Sequence, residues 1–94
     1  MLSVVDLATP ETLARLAQPA NLGLGRDILD AGAVEITLNE PMRVVAKVGG
    51  APAKGQRRTA ELRATADRLE WSCACSRRRD LFCKHCVAVA LALR

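Results

Sequence analysis

The sequence predicts a small α+β domain in which N-terminal helices lead into an antiparallel sheet and a final helix. Three observations predict it: helix-start residues near the N-terminus, alternating apolar residues in the middle, and a cysteine cluster before an apolar C-terminal stretch. The 94 residues are enough for one domain over residues 1–94. We divide it into a helical lead-in over 1–32 and strands plus the cysteine cluster over 33–94.

The helical lead-in is predicted from capping residues and apolar spacing. Thr9 is a good N-cap, and Pro10 behind it suits the first helical position. Apolar residues then recur at spacings of three and four, which places them on one helix face. These residues are Leu13, Leu16 and Ala17. A second short helix is predicted over residues 25–31, with Gly32 as its C-terminal cap.

The middle of the chain changes to the two-residue period of half-buried strands. Apolar and polar residues alternate in three stretches, which are residues 34–38, 42–48 and 60–65. Val45 is the one position in the second stretch that breaks the alternation, because it is apolar where the pattern requires a polar residue. The glycines and proline of residues 49–55 predict a mobile loop. After a turn at 66–68, Leu69, Trp71, Cys73 and Cys75 share one parity, so an extended strand would direct them to the same side.

The last stretch of the chain, beginning at Cys83, predicts a helix that is apolar on nearly every side. A helix of this kind is either buried in its own domain or covered by another structure. No run of apolar residues is long enough for a transmembrane helix. The N-terminal residues lack the basic region of a secretory signal, and we therefore expect a cytoplasmic protein.

The four cysteines are expected to bind a metal rather than to form disulfides. A cytoplasmic compartment keeps thiols reduced, and one of the three possible pairings would join Cys73 to Cys75 across a single residue. Only two aromatic residues are available to fill a core, so the fold needs another source of stability. A structural metal ion is one such source.

The spacing of the cluster fits a tetrahedral zinc site. Cys73 and Cys75 form a C-x-C pair at a predicted strand end, and Cys83 and His85 follow at a predicted helix start. Zinc prefers four cysteine or histidine ligands, and these two pairs supply four. The cluster contains every cysteine and the only histidine of the chain. Buried free cysteines would have no reason to gather at ligand spacing.

The order C-x-C, variable loop, C-x-H at a helix start resembles the SWIM-type zinc finger. The strand that ends in Trp71-Ser72-Cys73 and the alanine- and leucine-rich helix after His85 also resemble this family. The resemblance is specific over residues 69–93, loose over 25–68, and hardly covers 1–20. It implies a strand-strand-helix finger around one structural Zn²⁺ ion.

The resemblance implies that the zinc ligands are Cys73, Cys75, Cys83 and His85 (metal site 73–86). Cys86 stands where family members often have an apolar residue, and it is a rival fourth ligand because Cys83 and Cys86 form a C-x-x-C pair. Four protein ligands leave no position for a reactive water, and no other catalytic constellation is present. We therefore expect no enzymatic activity and no small-molecule substrate.

The charges point to a possible nucleic-acid partner. Residues 1–53 carry four basic and six acidic side chains, whereas residues 54–94 carry ten basic and four acidic ones. Within the basic half, Arg77, Arg78, Arg79 and Lys84 lie in or beside the predicted zinc loop and could bind backbone phosphates. The alternative for this charge is a solvated surface.

The SWIM resemblance implies an interaction module that binds DNA, protein or both, within or beside a larger DNA-processing machine. Members of the family occur alongside Swi/Snf-type helicase-like ATPases, and such an ATPase is one candidate partner. We do not expect the protein to bind a membrane. Two alternatives remain open. One is a protein-docking domain without nucleic-acid binding, and the other is a redox switch in which oxidised cysteines release zinc.

Overall fold

The computed structural model describes residues 2–49, 57–74 and 82–93 and confirms the predicted α+β class. The helices are α1 (Val4–Leu7), α2 (Pro10–Leu16), α3 (Pro19–Asp30) and α4 (Lys84–Ala92). The strands are β1 (Val34–Glu40), β2 (Arg43–Gly49), β3 (Arg57–Thr65) and β4 (Arg68–Cys73). Except for Gly49, the predicted loop over 49–55 lies outside the described residues.

The four strands form one antiparallel sheet in the order β1-β2-β3-β4. Helix α4 packs against all four strands on one side and against α3 on the other. This position between two layers explains why α4 is apolar nearly all round, since its residues from Cys86 to Ala90 are completely buried. Within the described ranges, no helix is both long and apolar enough to span a membrane.

The N-terminal helices follow their capping residues. Thr9 caps α2 through its side chain, Pro10 occupies the first turn, and the predicted apolar face packs on the core. Helix α3 is longer than predicted because it begins at Pro19 rather than at residue 25. Helix α1 was not predicted, although Ser3 and Asp6 form a capping box at its start.

A β-bulge corrects the predicted face of β1. The alternation of Val34, Ile36 and Leu38 predicted that all three face the core, but the pairing with β2 shifts between Ile36 and Leu38. Leu38 therefore pairs with Val45, whose neighbours along β2 are buried on the opposite face. The bulge explains why position 45 of β2 is apolar, because it gives Val45 an apolar cross-strand partner in Leu38.

The turn between β3 and β4 contains the two non-glycine residues with positive φ in the described chain, Ala66 (φ 50°) and Asp67 (φ 60°). Two consecutive left-handed residues are typical of a type I′ hairpin turn. Asp67 also accepts a hydrogen bond of 2.9 Å from the Leu2 backbone N–H, which fixes the N-terminal segment to the turn. Of these two residues, Ala66 has no polar side chain whose hydrogen bonds could offset the energetic cost of a positive φ.

We therefore expect Ala66→Gly to stabilise the zinc-loaded protein by about 1 kcal/mol, because glycine adopts positive φ without steric cost. Ala66→Val should act in the opposite direction, since a β-branched side chain fits this conformation worst. Urea denaturation at a fixed excess of zinc measures both changes. A Gly variant that is no more stable than the Val variant would show that the turn is not strained at Ala66.

Candidate metal centre

Two elements bring the described donor residues together. Cys73 ends β4, where it pairs with Ala60 of β3, and its half-buried side chain packs against the core. Cys83 is the N-cap of α4, and His85 lies in the first turn of that helix. The strand end and the helix start meet because α4 packs on the sheet. The ligand atoms of Cys73, Cys83 and His85 all lie within 4.8 Å of one another, which is close enough to bind one metal ion.

The distances in this cluster match a tetrahedral zinc site. Cys73 Sγ lies 3.7 Å from His85 Nδ1, and Cys83 Sγ lies 3.8 Å from the same nitrogen. With Zn–S bonds of ~2.3 Å and Zn–N bonds of ~2.0–2.1 Å, tetrahedral sulfur and nitrogen ligands stand about 3.6 Å apart. A zinc ion therefore fits among the three atoms with little movement, and Nδ1 is the histidine atom placed to bind it.

The donor residues shift one another's pKa values. The sulfurs of Cys73 and Cys83 raise the pKa of His85 to about 9, despite the opposing effect of burial. The pKa of Cys83 is lowered, first by its contact with Cys73 and then by its contacts with Cys86 and His85. Cysteine binds zinc as the thiolate and histidine binds it as the neutral imidazole. Zinc binding should therefore release protons and weaken as the pH falls.

Cys86 lies beneath the cluster and is not part of the three-residue donor group. Its side chain is completely buried, and its sulfur is 3.8 Å from Cys83 Sγ. Contacts with Cys73 and Cys83, together with burial, raise the pKa of the Cys86 thiol. This position favours a neutral thiol that packs in the core next to the ligands.

Gly25 sets the position of the helix start that carries two of the donors. A Cβ atom at this position of α3 would lie 2.5 Å from Val87 Cγ1 and 2.9 Å from the Lys84 carbonyl oxygen. Only glycine allows α3 to approach α4 this closely. The contacted residues lie in the first turns of α4, next to Cys83 and His85.

Trp71 and Phe82, the only tryptophan and phenylalanine of the chain, join the two elements that carry the donors. Trp71 precedes Cys73 by two residues on β4, and Phe82 immediately precedes Cys83. Their ring centroids are 5.1 Å apart in an edge-to-face arrangement, and Phe82 is completely buried. The sequence did not reveal that these two residues and Gly25 support the metal site. The one available signal is that each aromatic residue lies within two positions of a donor cysteine.

The structure places some of the predicted site residues and not others. It brings Cys73, Cys83 and His85 together, and it places Lys84 between two donors, half-buried at the first position of α4. Cys75 and the arginines 77–79 lie outside the described residues. Cys73 and Cys83 both belong to the cluster, so the segment between them has its two ends there.

Comparison of the chain with models of known protein families finds no match, and comparisons with curated proteins and with solved structures find none either. The residues of the cluster and their geometry are therefore the basis for inferring a function.

Proposed function

We propose that this chain is a non-enzymatic interaction module of the SWIM type, built around one structural zinc ion. The observation that carries the proposal is the group formed by Cys73, Cys83 and His85 at ligand-to-ligand spacing. The three residues occur in the order and on the elements that the family motif requires, namely a strand end followed by a helix start. In this proposal Cys75 supplies the fourth ligand.

A closed set of four protein ligands gives the ion a structural role. Zinc then has no open position for a water or a substrate, and its contribution is to hold β4 against the start of α4. Trp71 on β4 and Phe82 before α4 are already in contact, so these two residues help to bring the strand end and the helix start together. The zinc ion makes this arrangement stable.

Zinc stoichiometry in two single variants tests the fourth ligand. We expect His85→Ala to lose zinc and Cys86→Ala to keep one ion per chain, because His85 Nδ1 faces both sulfurs whereas Cys86 is outside the donor group. Alanine is chosen over serine at position 86 to avoid burying a hydroxyl group. Native mass spectrometry measures the bound metal. Zinc that is lost from Cys86→Ala and kept by His85→Ala would assign the fourth position to the thiol.

For the partner, we propose nucleic acid bound through backbone phosphates at the metal end of the domain. The exposed face of the sheet is a poor candidate, because many of its charges lie next to charges of the opposite sign. Glu61 contacts Arg63 at 2.8 Å and Arg43 at 3.2 Å, and these two arginines lower its pKa. Other opposite charges lie across from one another in the strand register: Glu35 with Lys47, Glu40 with Arg43, and Arg63 with Glu70.

The surplus positive charge lies elsewhere in the basic half. Residues 57–74 and 82–93 together carry five basic and three acidic side chains, whereas residues 54–94 as a whole carry ten and four. Three of the remaining basic residues are Arg77, Arg78 and Arg79, in the segment whose two ends are at the cluster. Arginine on a metal-anchored segment suits bidentate phosphate binding at little entropic cost.

Two triple variants with equal loss of charge test this proposal. We expect zinc-loaded protein to bind labelled duplex or single-stranded DNA with an affinity that falls steeply with salt. Changing Arg77, Arg78 and Arg79 to Ala should weaken binding and, for duplex DNA, reduce the salt slope by about 0.9 per lost phosphate contact. Changing Arg43, Arg63 and Arg68 to Ala removes the same charge from the sheet face and should change binding little.

Equal losses in the two triple variants would mean that net charge, not the arginine segment, attracts DNA. No binding even at low salt would contradict the nucleic-acid part of the proposal and favour a protein partner, such as a helicase-like ATPase. The apolar helix that first suggested protein docking gives no separate support, since the domain's own core buries α4 from Cys86 to Ala90.

A further inference from the structure

We propose that Cys86 is the resolving partner of Cys83, and that peroxide converts this pair into a disulfide that releases the zinc ion. The inference rests on the proposed zinc site and adds a means of regulating it. It starts from two facts about Cys86 that its role as a core residue leaves unused. The residue places a thiol in the buried core, and its sulfur lies 3.8 Å from the sulfur of Cys83, a proposed zinc ligand.

The placement of the pair on α4 favours disulfide formation. Cys83 is the N-cap and Cys86 is the third helical residue, so the two side chains lie on the same side of the first turn. A C-x-x-C pair at a helix N-terminus is the arrangement that thiol–disulfide oxidoreductases use. Side-chain rotation has to bring the sulfurs from 3.8 Å to about 2.05 Å, a movement that requires no rearrangement of the sheet.

The reaction balances with hydrogen peroxide as the oxidant. The Cys83 sulfur attacks one peroxide oxygen, which forms an S–O bond, breaks the O–O bond and releases hydroxide. The Cys86 sulfur then attacks Cys83, which forms the S–S bond and expels the hydroxyl group as water with the Cys86 proton. Two sulfurs lose one electron each, and the peroxide gains both. Because a disulfide sulfur is a poor ligand for zinc, the Cys83–Cys86 bond would remove one ligand from the site, and a bound ion would be released as Zn²⁺ with its charge unchanged.

Burial selects the kind of oxidant. Cys83 is only 4% exposed and Cys86 is 0% exposed, so the small opening at Cys83 favours an oxidant as small as peroxide over a bulky disulfide such as oxidised glutathione. The resolving thiol needs no access to solvent, because its target is already in contact with it. We therefore expect peroxide to release zinc at least tenfold faster than oxidised glutathione does.

The test follows zinc release and the site of oxidation in wild-type protein and Cys86→Ala. Zinc content is measured before oxidation; a wild-type chain without zinc would contradict the proposed function. After peroxide, we expect wild-type protein to release zinc and to lose two hydrogens in mass. Trypsin cleaves after Lys84, so a Cys83–Cys86 bond would hold two tryptic peptides together. A reductant and fresh zinc should restore the metal-loaded form.

In Cys86→Ala, the same treatment should produce sulfinic or sulfonic acid that a reductant does not reverse. Recovery of zinc binding that is as complete in Cys86→Ala as in wild-type protein would overturn the inference. A wild-type disulfide that joins Cys73 to Cys83 would also overturn it. Either result would leave the zinc site itself intact, because the initial zinc content tests that site separately.

Discussion

Removal of zinc by excess chelator is expected to abolish most of the helical circular dichroism signal in one cooperative transition. Structural zinc contributes ~10–16 kcal/mol in small metal-bound modules, which equals or exceeds the 5–15 kcal/mol stability typical of a whole domain. In this fold the ion would join β4 to the start of α4, and α4 contributes five of the completely or nearly completely buried residues of the core. We therefore expect removal of the ion to weaken the packing of α4 on the sheet.

Addition of zinc should restore the spectrum, whereas addition of magnesium should not, because magnesium prefers oxygen ligands. Cys86→Ala serves as the matched variant and should lose and regain its signal as wild-type protein does. A spectrum that stays unchanged in excess chelator, with zinc shown to be absent, would contradict a structural role for the metal.

Gly25→Ala is expected to destabilise the zinc-loaded protein by about 2 kcal/mol, even though alanine is the better helix former. The new methyl group would lie 2.5 Å from Val87 Cγ1 and 2.9 Å from a backbone carbonyl oxygen, so α3 and α4 must separate. Overpacking of this kind costs ~1–3 kcal/mol or more, against a gain of about 1 kcal/mol in helix propensity. Because α4 carries two donors in its first turn, zinc affinity should fall as well.

Gly23→Ala is the matched control on the same helix. A Cβ at Gly23 meets no atom within 4 Å, so the gain in helix propensity should stabilise the protein by up to about 1 kcal/mol. Urea denaturation at fixed excess zinc compares the two variants. If both glycine variants stabilise the protein, α3 does not approach α4 as closely as the structure shows.

Much of the fold could be predicted because local signals and tertiary structure agree. The cap at Thr9, the alternation along β2 and the apolar stretch of α4 each predict the element that forms. The bulge in β1 could not be predicted from alternation, since the pattern of Val34, Ile36 and Leu38 is regular and only pairing with β2 reveals the shift. For α4, the sequence left two possibilities open, burial in its own domain or cover by another structure, and only the tertiary structure shows the first.

The candidate site shows the same division. Clustering of Cys73, Cys83 and His85 at ligand spacing predicted a metal site, and the structure brings their donor atoms within 4.8 Å of one another. The supporting residues were missed because their role exists only in three dimensions. A glycine in a helix usually weakens it, and nothing in the sequence shows that Gly25 lies against the Lys84 carbonyl.

X-ray absorption spectroscopy of the zinc-loaded protein tests the central claim most directly. It counts the sulfur and nitrogen atoms bound to the ion and measures their distances without depending on any variant. The proposed site predicts three sulfurs at about 2.3 Å and one nitrogen at about 2.0–2.1 Å. A shell of four sulfurs would show that Cys86, and not His85, is the fourth ligand. A shell that includes a water oxygen would contradict a closed structural site.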